Sequence, residues 1–264
     1  MDWDFVNWRE WLNFFERRGE RKLPDPEPSE EYADLPVSVT QSLARSLAIF
    51  QLGESGGGTI IKQARQSDIK SIDEDYADAM HLFVKEENRH ADILAICVRM
   101  LGGTLIQENW TANLFVRSRR LIGLRLKVVV LLAAEVVGLC YYHLLAARLP
   151  AGQIKSLLAQ LVNDERAHLQ FHCTFLRSQT ERFWKRVIFI IAWRITMFAA
   201  AIVVLIDHWP AIRDLGIGPT VVWRRWMLYC RLSERLVTDR GHRERSDSLT
   251  ATDTLGLASV DYYR

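Results

Sequence analysis

The chain is predicted to be all-α, with four of its helices gathered into a bundle around a charged centre. Three observations carry this reading. Four segments repeat apolar residues at alternating steps of three and four; each interrupts its stripe with a glutamate; and no stretch alternates apolar and polar residues as a half-buried strand would. The 264 residues, 49% of them hydrophobic, suffice for one large core, or for one core with an appendage.

Taken in order, residues 1–35 form an arm. Between Trp3 and Arg18 the side chains of Trp8, Trp11, Leu12 and Phe15 gather on one side, opposite many charges. Such a helix is expected to dock on the bundle, with a lipid surface as the alternative. The Pro-rich run Leu23-Pro24-Asp25-Pro26-Glu27-Pro28 separates it from the bundle, which spans residues 36–182. Helix one is expected from the Ser38 region to Arg65, with the stripe Leu43, Leu47, Phe50, Glu54, Gly58, Ile61. Ser67 or Asp68 offers a cap for helix two, which carries Tyr76, Met80, Phe83, Glu87, His90, Leu94, Cys97 and Leu101 and ends near Gly102-Gly103. Residues 104–116 are long enough to cross the bundle, so a long crossover joins helices two and three. Helix three begins around Ser118, runs through Leu121, Leu124, Val128, Leu131, Glu135, Leu139 and Tyr142, and stops at Leu149-Pro150. The short Ala151-Gly152 turn then returns the chain as helix four, with Ile154, Leu158, Leu161, Glu165, His168, His172 and Phe175 on one face.

Residues 183–240 are a hydrophobic helical extension. The run 187–206 is apolar around Arg194, with Trp184 and Trp209 at its flanks like interface anchors. A span would place Arg194 at mid-membrane at a cost of about 2.5–3.5 kcal/mol, and basic residues on both sides give no orientation. The expectation is therefore a fifth helix packed on the bundle, with contact to a membrane left open. A further helix is expected near Val221 to Val237, and the tail 241–264 is expected to be disordered.

The formal charge of +2 speaks against general attraction to nucleic acid. Charge is unevenly spread: residues 1–34 hold ten acidic and five basic side chains, and residues 181–245 hold six acidic and twelve basic, so a membrane surface or an acidic partner is conceivable at the basic end. The four cysteines, Cys97, Cys140, Cys173 and Cys230, include no Cys-x-x-Cys pair and suggest neither a disulfide framework nor a rubredoxin-like iron site. No signal peptide is evident, so the expected location is cytoplasmic, with peripheral membrane association as the open variant.

The chemistry is concentrated in two copies of Glu-x-x-His, Glu87-Asn88-Arg89-His90 and Glu165-Arg166-Ala167-His168. Each follows a solitary glutamate, Glu54 or Glu135, by about thirty residues, the arrangement by which four helices aim four carboxylates and two imidazoles at one pair of metal ions. Residues three apart share a helix face, so both ligands of each motif can reach one site. Unpaired carboxylates on core faces are costly, and two divalent cations would neutralise four of them. Carboxylate-rich, partly imidazole coordination suits iron(II) or manganese(II) better than zinc. The cofactor expected is therefore two iron ions, with manganese or a mixed iron/manganese pair as the alternative. His172, one turn beyond His168, is either an extra ligand or a hydrogen-bonded core histidine; Tyr142 stands two turns from Glu135, with Tyr141 and His143 beside it. The run Gly56, Gly57, Gly58 weakens its helix by about 1 kcal/mol per glycine relative to alanine. It leaves room for dioxygen or substrate, or else serves close packing or a π-bulge.

On Glu54, Glu87, His90, Glu135, Glu165 and His168, over residues 36–180, the chain resembles the ferritin-like di-iron carboxylate superfamily. The resemblance implies a ferritin-like four-helix bundle binding two irons, with Asp164 accepting a hydrogen bond from the distal nitrogen of His90. It implies oxidation of a small organic, even lipid-like, substrate by dioxygen. Rubrerythrins resemble the chain in ligand spacing but carry a cysteine iron centre; without one, electrons would come from an external donor, a ferredoxin or reductase. An iron- or peroxide-handling protein and a non-catalytic structural bundle are the alternatives. Substrate and oligomeric state are not legible.

Overall fold

The computed structural model describes residues 6–19, 21–25, 32, 35–55, 58–110 and 123–239. Among these, the regular structure is helical: α1 (Trp8–Arg18), α2 (Val37–Glu54), α3 (Thr59–Arg65), α4 (Glu74–Met100), α5 (Leu124–Arg148), α6 (Gln153–Gln179), α7 (Phe183–Asp214) and α8 (Pro219–Thr238).

The expected helix one is two helices. α2 stops at Glu54 and α3 starts at Thr59; the chain leaves the helix at Ser55, which is extended, just before the glycine run. Gly56 and Gly57 lie outside the described residues. Helix two starts later than expected, because Asp73 rather than Ser67 or Asp68 caps it: its carboxylate accepts from the Tyr76 backbone N–H at 3.0 Å. At the far end Gly102, at φ +71°, closes α4, and Gly103 follows so close to α2 that a Cβ there would stand 2.6 Å from the Ala44 Cβ. Helix three begins at Leu124; the expected start near Ser118, together with Leu121 and most of the crossover, falls outside the described residues.

α4 and α6 run antiparallel, as the ladder Tyr76–Phe175, Phe83–His172 and His90–Glu165 requires. α5, joined to α6 by the Pro150–Gly152 turn, packs along it and is apolar almost all round, which is why most of its residues are buried. α2 lies against α4, and α1 lies across α4 with Trp8, Trp11, Leu12 and Phe15 buried. The Trp8 indole donates to the Ser71 carbonyl at 2.6 Å, and its ring stands edge-on to Tyr76. The arm therefore docks by its apolar side, as its pattern predicts.

α7 covers the α2–α5 side, and α8 packs on α5 and α6. α7 buries Phe189, Trp193, Met197, Val204, His208 and Ile212 against the bundle and α8. Only one side of α7 is hidden, in contrast to the expectation that packing would cover it: its opposite face is exposed and apolar. The long apolar helices α5 and α7 each have the length and composition to cross a membrane, but α5 is mostly buried within the protein.

Candidate metal centre

The six predicted side chains stand on four helices, and the four from α4 and α6 form one group, with Glu135 buried beside it and Glu54 half-buried. Because α4 and α6 are antiparallel and each carries Glu and His one turn apart, Glu87, His90, Glu165 and His168 meet in a ring. One ligand atom from each lies within 4.8 Å of all the others, and three of the four residues are buried. His90 Nδ1 is 3.3 Å from Glu165 Oε1 and 3.6 Å from Glu87 Oε1; His168 Nδ1 is 2.8 Å from Glu87 Oε1 and 3.7 Å from Glu165 Oε2. α5 adds Glu135, whose Oε2 is 3.5 Å from His168 Nδ1. Glu54, on the last turn of α2, accepts a hydrogen bond from the Tyr142 hydroxyl at 2.9 Å.

Room for this cluster is made on α5. One turn after Glu135 stands Gly138, where a Cβ would lie 3.2 Å from the Tyr142 ring and 3.5 Å from Glu165 Oε1. The glycine lets a carboxylate and a phenol pass the helix at close range.

A fit test for a cation comes from the hydrogen bonds. Glu87 Oε1, His90 Nδ1, Glu165 Oε2 and His168 Nδ1 are all buried, and none has a hydrogen-bond partner. Even at 2.8 Å, His168 Nδ1 and Glu87 Oε1 are not aligned as donor and acceptor. Buried polar atoms are nearly always satisfied, so four orphans converging on one volume need a common partner. A divalent metal ion supplies one, and the donor set of carboxylate oxygen and imidazole nitrogen fits it.

The outer nitrogens of both imidazoles are held. His90 Nε2 faces Asp164 Oδ2 at 3.4 Å, the partnership expected for Asp164. The sequence reading missed its counterpart: Glu86 Oε2 stands 3.0 Å from His168 Nε2. Each motif is thus preceded by a carboxylate that steadies the other motif's histidine. An acceptor at Nε2 fixes the tautomer with the proton there and frees Nδ1 as a ligand. Also missed was Arg18 of α1. Its Nε donates to Glu86 Oε1 at 2.9 Å and its terminal nitrogen to Asp164, to which Arg21 also donates at 2.8 Å.

Electrostatics follow from this crowding. Burial, then the neighbouring carboxylates Glu87 and Glu165, lift the Glu54 pKa well above the ordinary range. Glu135 is raised by burial and by Glu87, and Glu165 by burial and by Glu135. Burial depresses His90. His168 is also opposed by burial, but Glu87 and the other surrounding carboxylates raise it well above its usual value. Burial works against charge on Glu86 too, yet His168 and Arg18 bring it down to about 2. Carboxylates that resist ionising together are the sign of missing positive charge at their centre.

His172 is buried on the same face, with Nε2 3.4 Å from Glu135 Oε1 but neither nitrogen hydrogen-bonded, and burial pushes it down to about 3. It is neutral, beside the cluster rather than within it. Tyr141 and His143, flanking Tyr142, bond elsewhere: Tyr141 to Ser46, which also meets His208 at 2.7 Å, and His143 to the Tyr229 hydroxyl at 3.1 Å. Gly58 packs against Ile61, whose Cδ1 would be 2.9 Å from an added Cβ. Compared with protein-family models, curated proteins and solved structures, the chain matches none of them significantly.

Proposed function

We propose that the chain is a ferritin-like four-helix carboxylate protein that holds two iron ions and uses dioxygen to oxidise a small organic substrate. The observation that carries this reading is the group of four residues from two Glu-x-x-His motifs, each offering a ligand atom within 4.8 Å of the others' and each holding a buried atom without a hydrogen-bond partner. Glu87, His90, Glu165 and His168 would hold the metal, with Glu135 and Glu54 completing the shell from either side. Iron bound there would supply electrons for reducing dioxygen.

The chain's own groups then have defined tasks. His90 and His168 present Nδ1 inward because Asp164 and Glu86 keep the protons on Nε2. Tyr142 keeps a proton on its hydroxyl and hands a hydrogen bond to Glu54, which fixes that carboxylate at the broken end of α2. Glu54 is only half-buried, whereas Glu135 and Glu165 are sealed in, so small molecules would approach from the Glu54 side. Phe83 and Phe15 against His168 keep water from the opposite side. Electrons would come from a separate donor, since the four cysteines are dispersed and buried.

Metal analysis of the purified chain after anaerobic loading with iron(II) is the deciding experiment. Two irons per chain are expected, falling below one in Glu87→Ala and in Glu165→Ala, with helicity retained. A chain that binds no stoichiometric metal overturns the proposal in favour of a structural bundle; dioxygen uptake driven by iron(II) alone, unaffected by any organic compound, favours an iron-handling protein.

A further inference from the structure

The exposed face of α7 is the largest feature that the metal centre leaves unexplained. Ile188, Ile191, Ile195, Phe198, Ile202 and Ile206 follow one another at steps of three or four and are 45–70% exposed. With Phe183 and Trp184 the stripe is roughly 35 Å long at the helical rise. Opposite it, Trp193, Met197 and Val204 are buried against the protein, so the helix is anchored along its length. A continuous apolar strip of this size is not left to water on a soluble monomer; it marks a contact surface.

We infer that α7 lies in the plane of an anionic lipid surface and carries the protein on it. Three observations choose a lipid surface over another occupant. The flanks are aromatic and wet: Trp184 is exposed at one end of the stripe, and Trp223 is exposed on neighbouring α8, positions suited to the headgroup level. Charge is complementary, because residues 183–239 hold eight basic and four acidic side chains, among them Lys185 and Arg186 at the start of α7 and exposed Arg224, Arg231 and Arg235 on α8. A second copy of the same face would set these cations against each other. Finally, Arg194 stands beside the stripe, exposed and paired with Glu234 at 2.9 Å. That pair is tolerable at a headgroup boundary and not at mid-membrane, and the opposite side of α7 is already taken by protein, so the helix lies flat rather than spanning.

His208, on the buried side of α7, meets Phe50 at a ring distance of 4.5 Å, and Phe50 packs on Tyr142, the partner of Glu54. The lipid-facing helix thus supports the same side of the bundle as the partly open glutamate. Lipid docking itself does not depend on metal and stands or falls separately.

Flotation of the full chain with vesicles tests it, comparing phosphatidylcholine alone with a phosphatidylcholine–phosphatidylglycerol mixture. The chain is expected to float with the anionic vesicles, less so with the neutral ones, and the difference should shrink at high salt. Ile195→Glu combined with Phe198→Glu should weaken partition by about a hundredfold, as expected for losing two buried apolar side chains. Helicity and metal content should be unchanged. Failure of the chain to float with either vesicle overturns the proposal. So does light scattering that finds a dimer which the double variant converts to monomer, because then a second copy covers the stripe.

Discussion

Arg18 is the most consequential single side chain outside the ligand set. One guanidinium bridges Glu86 and Asp164, the two carboxylates that steady His168 and His90, and its own side chain is only 12% exposed. Removing one partner of a buried ion pair costs about 3–5 kcal/mol, so Arg18→Met should lower the unfolding midpoint in urea clearly. Loss of such support typically weakens metal affinity about 10–100-fold. Metal titration of Arg18→Met against Arg18→Lys checks this: the lysine should recover part of the affinity through its charge. The ligands were legible because Glu87, His90, Glu165 and His168 fall on stripes otherwise filled by apolar residues. Arg18 and Glu86 were not, since on a single helix a charged residue beside a charged residue looks like a solvated face, and only the docking of α1 on α4 shows that it is not.

Individual elements show where pattern suffices and where it fails. α4 was readable along most of its length, but its start was misplaced, because several polar residues precede it and only the one whose carboxylate reaches an N–H two or three residues on is the cap. Asp73→Ala should destabilise the chain by about 1 kcal/mol, read as a shift of the urea midpoint at unchanged slope. On α5 the tight space at Gly138 gives a sharper expectation. Gly138→Leu should push Tyr142 or Glu165 aside and reduce metal content, whereas Gly138→Ala, needing shifts of a few tenths of an ångström, should retain it. Metal analysis of the two variants side by side decides. The break between α2 and α3 comes at Ser55, beside the glycine run that the sequence displays, yet continuous periodicity from Leu43 to Ile61 hid it. α7 was legible as a helix and not in its exposure, since composition cannot say which neighbour covers an apolar face.

Across the whole molecule, buried histidines make stability depend on acidity. His208 is fully enclosed between Ser46 and Phe50, and burial pushes it down to about 3; His143 is held down to about 4 by burial and by Arg225. Both folded values lie below the unfolded one of about 6.5. At these two sites the unfolded chain therefore binds more protons between those limits, so their contribution to stability is full above pH 6.5 and is lost as pH falls through the window, while the raised His168 and cluster carboxylates contribute with the opposite sign. His208 alone contributes a slope of about 1.4 kcal/mol per pH unit there, His143 less because solvent reaches it. Between pH 6.5 and 4 the thermal midpoint of His208→Gln should fall less, or rise more, than that of the parent chain, which thermal unfolding of the two across that range measures.

Residues 18, 86 and 164 are remote along the chain, yet they share one guanidinium. The amino-terminal arm is consequently not trimmable packaging around a self-sufficient four-helix unit. A shortened chain beginning at Pro36 would open the outer wall of the cluster to solvent and remove the guanidinium that Glu86 and Asp164 share, leaving Asp164 only the more distant Arg89 at 3.6 Å. Such a chain could come out empty of metal while every ligand remained in its sequence.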